Sequence, residues 1–411
     1  MIRQEMLDRY AHLLVDLGVA LQPGEYLILE GDAESYELIR AVTKRAMEKG
    51  ARDVLVFLRD AWADKYRARY GAAEEVSAVR PWQTESLDFY LRQGACSLLL
   101  ESPRPFLMED VDTDRARSLG TFRNDLRNVI RGHWGKSGTR WCIACAPNRE
   151  WAKTLYPQLP EEEALDAWWE KLMEICLVDG ESDPVENWIA FADGYAKHAQ
   201  RLNDLDIDYI HFQNGTGTDL RVGFHARARW VGGCERAKRG PLDNMGNIPS
   251  NEVATSPDCR RVDGTVHSAR PLFYNGALID GFTLTFRDGR VVEARAQKGQ
   301  EMLDALLDAD EGSRYAGEVA FVEKDRPLAR SGMIFYNTLL DENAACHMAL
   351  GRGYAICIPG LSMTDTDAWA AAHLNHSVQH VDFMFGTDDL CATAYTKNGE
   401  AVELFRNGLF V

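Results

Sequence analysis

Residues 25–58 read EYLILEGDAESYELIRAVTKRAMEKGARDVLVFL. Two apolar runs, EYLILEG (25–31) and DVLVFL (53–58), flank a segment of helical spacing that ends on Gly50. The reading is strand, glycine-closed helix, strand. Further apolar runs, CSLLLES (96–102) and RWCIACAP (140–147), alternate with helical patterns. Strands buried on both faces read as continuous apolar runs. The first part of the chain is therefore predicted to be α/β, with a mostly parallel sheet covered on both faces. EEEALDAWWEKLMEICLV (161–178) is a predicted helix with acids in the first turn, where the helix dipole favours them. Another helix is predicted after Asp183-Pro184.

The texture changes near 203. DIDYIHF (206–212) and TDLRVGF (218–224) are predicted strands joined by QNGTG, and FTLTF and VVEARA flank Arg287-Asp288-Gly289-Arg290. Both are hairpin patterns. The boundary is placed near 200, giving an α/β domain over 1–200 and an α+β domain over 201–411. Gly215-Thr216-Gly217 resembles part of a dinucleotide loop, but a strand follows it rather than a helix, so it is read as a turn. Cys142-Ile143-Ala144-Cys145 has redox-motif spacing inside a strand-like run, so it is read as packing.

The chain has 63 acidic against 46 basic side chains, a formal charge of −17. That argues against nucleic acid, which needs clustered Lys and Arg, and against an anionic membrane surface. Hydrophobic content of 45% and charged content of 27% are those of a soluble globular protein. The start of the chain spaces Ile2, Met6, Tyr10, Leu13, Leu14 and Leu17 as an amphipathic helix, not a signal peptide. No stretch reaches the roughly 18 apolar residues of a membrane span. Nine cysteines fit free thiols in a reducing cytoplasm.

The chemistry-bearing residues gather late in the chain. In HSVQHVDFMFG (376–386), His380 and Asp382 sit at i and i+2 of a predicted strand, so both face one side. The apolar flank implies burial, and buried charge is costly unless matched, so the pair is read as metal-ligating rather than as a surface pair. His347 is placed on a helix from about Glu342 to Tyr354, either as a ligand or as a hydrogen-bonded core histidine. Tyr354, two turns on, would project from the same face. Glu318 opens the apolar EVAFV, and Glu252 lies in NIPSNEVATSP beside a proline-bounded loop. Alone, each reads as an ordinary solvent-facing acid. Asp341-Glu342-Asn343 is read as an N-cap with acids in the first turn of the His347 helix.

NIPSNEVATSP (247–257), RVDGTVHSARPLFYNGALIDGFTLTFRDGRVV (261–292), EGSRYAGEVAFV (311–322), SGMIFYNTLLDENAACHMALGRGY (331–354) and HVDFMFGTDDL (380–390) together resemble the M29 aminopeptidases, the aminopeptidase T, aminopeptidase S and PepS group. DPVENW (183–188) and the closing FRNG extend the likeness over essentially the whole chain. The resemblance implies two divalent metal ions per chain (Zn, Co, Mn or Mg) held by Glu252, Glu318, His347, His380 and Asp382, with Tyr354 and Glu252 as catalytic groups. It implies a homodimer with an enclosed cavity and short peptides as substrates. One departure stands out: the family commonly shows two adjacent glutamates before the Val of the first motif, and here the first is Asn251.

With those five ligands, two dications would activate one water and one would hold the α-amine of a peptide, so that residues leave one at a time from the N-terminus. Tyr354 would stabilise the oxyanion. A mononuclear iron ring-cleaving dioxygenase of the dihydroxypyridine type is the alternative, with His347, His380 and Asp382 as ligands. It leaves Glu252 and Glu318 without roles. A non-enzymatic dimer with a structural metal is a third reading.

Overall fold

The computed structural model describes residues 4–133, 139–232, 244–362 and 365–411. They fall into two compact units. One comprises the residues up to Ala190 together with those up to Pro249 that follow the undescribed segment 233–243; the other comprises Phe191 up to that segment and Ser250–Val411.

The first unit is built on a five-stranded parallel sheet in the order Asp53–Arg59, Tyr26–Asp32, Cys96–Glu101, Trp141–Cys145, Asn247–Ile248. The first four are the apolar runs predicted from sequence. The helix between the first pair spans Tyr36–Glu48 and buries Leu38, Ile39, Ala41, Val42 and Ala46 at helical spacing. The last strand arrives from residues beyond 200. It is two residues long, too short to leave a periodic signal. Burial on both faces fails at the sheet edge, where Val56 and Leu58 of Asp53–Arg59 are exposed. The predicted helices are present as Glu161–Ile175 and Pro184–Asp204. The N-terminal helix begins at Gln4, so Ile2 lies outside the described residues. Cys142 and Cys145 are buried, and burial pushes the Cys142 thiol up, away from thiolate chemistry. No helix among the described residues is long and apolar enough to cross a membrane.

Besides the two-stranded ribbon of Leu272–Tyr274 with Ala277–Ile279, the second unit holds two larger antiparallel sheets. The larger has eight strands and includes both predicted hairpins, Ile207–Gln213 with Asp219–Gly223 and Thr283–Arg287 with Arg290–Arg295. The smaller runs His380–Met384, His347–Gly351, Ala316–Phe321, Val253–Thr255, Val231–Gly232. One of its faces supplies Val253, Val319, Phe321, Met348, Leu350 and Phe383 to a core shared with Ile210, Phe212, Leu220, Val222 and Leu284 of the larger sheet. Aromatic contacts join the two layers, with ring centroids 5.5 Å apart for Phe212 and Phe321. Period-2 alternation sends the intervening residues to the opposite face.

Candidate metal centre

That opposite face carries Glu318 and Ala320, His347 and Ala349, His380 and Asp382, and Ala254 with Glu252 just ahead of its strand. Registration brings them together. Glu318 pairs with Ala349, which pairs with Asp382, and Ala320 lies opposite both His347 and Ala254. Carboxylates and imidazoles thus project from neighbouring strands, separated by methyl groups. A bulge at Gly317 sets the phase of the central strand. A Cβ there would meet the carbonyl oxygens of Gly351 and Arg352 at 2.4 Å, so only glycine fits.

The structure corrects the placement of His347. It is the first residue of a strand, not part of a helix. In His-Met-Ala-Leu-Gly the large apolar residues alternate, and Met348 and Leu350 enter the core. Tyr354 sits in extended backbone ahead of the 3₁₀ turn Ala355–Cys357, with its amide donating to Ser256 Oγ at 2.8 Å. The helix lies earlier, at Thr338–Asp341, capped by Asn337. Asp341 is not its N-cap: its carboxylate accepts from the amides of Phe335 and Asn337 upstream.

The six residues singled out from sequence converge. His347 Nε2 lies 2.9 Å from Glu252 Oε2. His380 Nε2 lies 3.1 Å from Glu318 Oε2, 3.3 Å from Asp382 Oδ1 and 3.2 Å from the Tyr354 hydroxyl. Both imidazoles are oriented from behind. His347 Nδ1 donates to the Ala345 carbonyl at 3.2 Å and His380 Nδ1 to the Arg352 carbonyl at 2.7 Å. A carbonyl only accepts, so the proton is fixed on Nδ1 and Nε2 faces the carboxylates, the arrangement a metal ligand needs.

Glu342 is a seventh member, which sequence reasoning assigned to helix capping. Burial raises its pKa well above the usual carboxylate range, and so do Asp382, Glu252 and Glu318. Asp382 is pushed the other way. Burial opposes its ionisation, but His380, His347 and a hydrogen bond from Glu342 outweigh it. Reading Cys346-His347-Met348-Ala349-Leu350 as alternating would have put Glu342 at the mouth of the His347 strand. Of the other histidines nearby in sequence, His373 bonds to Asp258 at 3.0 Å and His376 is exposed.

The electrostatics of this cluster are unbalanced. Four carboxylates face two imidazoles, and among the described residues no Lys or Arg pairs with any of the four. Burial lowers the basicity of His347, yet the bond from Glu252 and the other acids raise its pKa to about 9. His380 is driven up as well by Asp382 and Glu318 against its own burial. Even two imidazolium charges leave the cage short of positive charge. Asp382 Oδ1 is buried without a hydrogen bond. Tyr354 as a whole is 39% exposed, but its hydroxyl end reaches into the cage, where desolvation and then the surrounding acids raise its pKa, so the hydroxyl stays a donor. Oxygen and imidazole donors in this number suit hard or borderline divalent cations. They group into two triads, Glu252, Glu318, His347 and Glu318, His380, Asp382, each with ligand atoms within 4.8 Å of one another.

A buried, cation-deficient carboxylate–imidazole cage beside a tyrosine hydroxyl, on a sheet face lined by methyls, is a candidate centre for a metal-dependent enzyme. The family described as Thermophilic metalloprotease (M29) matches residues 3–410. Aminopeptidase AmpS of Bacillus subtilis is 33% identical over 404 residues, 98% of each chain. The structure of wild-type AmpT from Thermus thermophilus superimposes with a TM-score of 0.92 at 31% identity, over 99% of both chains. The chain belongs to the M29 family and is a metallo-aminopeptidase. A 2,5-dihydroxypyridine dioxygenase from Pseudomonas putida KT2440 superimposes with a TM-score of 0.52 at 11% identity, a likeness of fold alone.

Proposed function

We propose that the chain removes N-terminal residues from short peptides using two divalent cations, and that Glu318 is the ligand they share. The observation that carries this is the membership of Glu318 in both triads. Glu252 and His347 complete one position, and His380 and Asp382 the other. Glu342, hydrogen-bonded to Asp382, would supply a further oxygen. Bound there, the ions supply Lewis acidity, lowering the pKa of water towards neutrality and polarising the scissile carbonyl.

The chain's own residues do the rest. The cage would hold the free α-amine of a peptide at one of its two cation positions and so fix which bond is presented, which makes cleavage exopeptidic. The Nδ1 bonds to Ala345 and Arg352 hold both imidazoles in one tautomer. Tyr354 keeps its proton and donates it as a hydrogen bond to the oxyanion that develops on the substrate carbonyl. We also carry over from the family likeness a homodimer around an enclosed cavity, which sedimentation of the purified protein checks.

The test is to count metal per chain and assay aminoacyl-p-nitroanilides with Zn²⁺, Co²⁺, Mn²⁺ or Mg²⁺. Two ions per chain with hydrolysis is expected. One iron per chain with oxygen uptake on a dihydroxypyridine would overturn the reading.

A further inference from the structure

Asn343 is fully buried in the short turn Glu342–Ala344, between the cage acid Glu342 and the cage imidazole His347. Its carboxamide is used at both ends. Oδ1 accepts from the main-chain amide of Asn251 at 2.7 Å. Nδ2 donates to the Leu339 carbonyl at 2.9 Å and lies 3.5 Å from Glu342 Oε1, at the outer limit of a bond. The bond to Asn251 joins stretches of chain 92 residues apart.

What it holds is the segment that carries Glu252. On the C-terminal side of Glu252 the sheet fixes the chain, since Val253 pairs with Phe321 and Gly232. On the N-terminal side the ladder has ended. There Asn251 gives its amide to Asn343, while its own side-chain Oδ1 is buried without a hydrogen bond. Glu252 is thus held between a strand and one side chain. That side chain belongs to the stretch that also bears His347, whose Nε2 lies 2.9 Å from Glu252 Oε2. The Leu339 bond orients the carboxamide from its other end, and a carboxamide accepts and donates at once. Without it the Asn251 amide would be a buried donor lacking a partner, a cost the segment relieves by moving.

We infer that Asn343 is a positioning residue for one of the two cation positions: it fixes Glu252 against His347 and leaves the ligands His380 and Asp382 untouched. The inference rests on the two-cation reading and concerns metal affinity at one position, not the bond-breaking step.

The experiment titrates Co²⁺ into the metal-free full-length chain by calorimetry, for wild type, Asn343→Ala and Asn343→Asp, with circular dichroism as the check on folding. Wild type should take up two ions. In Asn343→Ala one dissociation constant should rise about 10–100-fold and the other less than about threefold. Asn343→Asp keeps the acceptor for the Asn251 amide, so it should hold the affected ion no more than about threefold more weakly than wild type. Glu252→Gln identifies the position. Added to it, Asn343→Ala should change metal binding less than about twofold, whereas added to Asp382→Asn it should cost its full factor. Unchanged constants in Asn343→Ala, equal losses at both positions, a full further loss on top of Glu252→Gln, or an Asn343→Asp as weak as Asn343→Ala would each overturn the inference. If Asn343→Ala does not fold, Asn343→Ser, too short to reach the Asn251 amide, takes its place with the same expectations. Failure of the two-cation reading looks different: wild type itself then binds one Co²⁺ or none, and the inference falls with it.

Discussion

Asp16 and Glu318 are both carboxylates withdrawn from water, and they meet their charge in different ways. Asp16, in the parallel-sheet unit, has three partners from its own chain, two of them cations: Arg45 at 2.7 Å, Lys49 at 2.9 Å and the imidazole of His12 at 2.9 Å. Burial opposes its ionisation, but the bonds from Arg45, Lys49 and His12 pull its pKa down to about 2. Glu318 has His380 and three more acids, and burial together with Glu252 and Asp382 raises its pKa. An acidic cluster that finds cations within the chain is complete as a structural element. One that does not must take them from outside or hold protons instead. This contrast separates a structural acid from a metal-seeking one more sharply than burial does.

The largest test of that contrast is Glu318→Gln. Removing an acid common to both triads should cut peptide hydrolysis by more than the roughly hundredfold that loss of a ligand's supporting partner costs, and should lower bound metal, read by atomic absorption. The metal-free variant should be more stable than metal-free wild type, because one of several like charges is gone. Wild-type activity in Glu318→Gln would break the contrast. Next, Glu342→Gln should cost about 10–100-fold in activity or metal affinity. A variant indistinguishable from wild type would return Glu342 to a packing role.

Chelation sharpens the comparison through stability. Metal at a hundred times its dissociation constant stabilises by about 2.7 kcal/mol, so adding a chelator should lower the urea midpoint of wild type and leave that of Glu318→Gln nearly unmoved. The smallest effect belongs to Asp16→Asn, which should cost about 1–3 kcal/mol at pH 7 with hydrolysis unchanged. The folded pKa of Asp16 lies below its unfolded value, so its contribution is present above about pH 4 and is lost as pH falls towards 2. The gap between wild type and Asp16→Asn should close over that window, and a gap that persisted at pH 2 would contradict the assignment.

The legible parts of the sequence were those where one period dominates. Four parallel strands could be read because apolar runs of five to seven residues stood between glycine- and acid-marked helices. His380 and Asp382 could be placed because a strand puts i and i+2 on one face. His347 was misplaced because an apolar run with a tyrosine seven residues on fits a helix as well as a strand, and only its packing partners, Met348 and Leu350 against the core, decide between them. Glu342 was hidden by that error. Glu252 precedes a three-residue strand, and its position depends on cross-strand register, which no local pattern encodes. The edge strand Asn247–Ile248 was out of reach for the same reason.

The alanines between the ligand-type residues, Ala254, Ala320 and Ala349, carry a consequence for how such a site drifts over evolutionary time. A search for reactive groups passes over them, since a methyl does no chemistry. Yet they are buried, at 4%, 0% and 0% exposure, in the rows that separate the carboxylates and imidazoles. Replacing one by valine would keep every ligand and still fill the room an ion needs. A lineage could therefore lose the enzyme while every recognisable motif stayed intact.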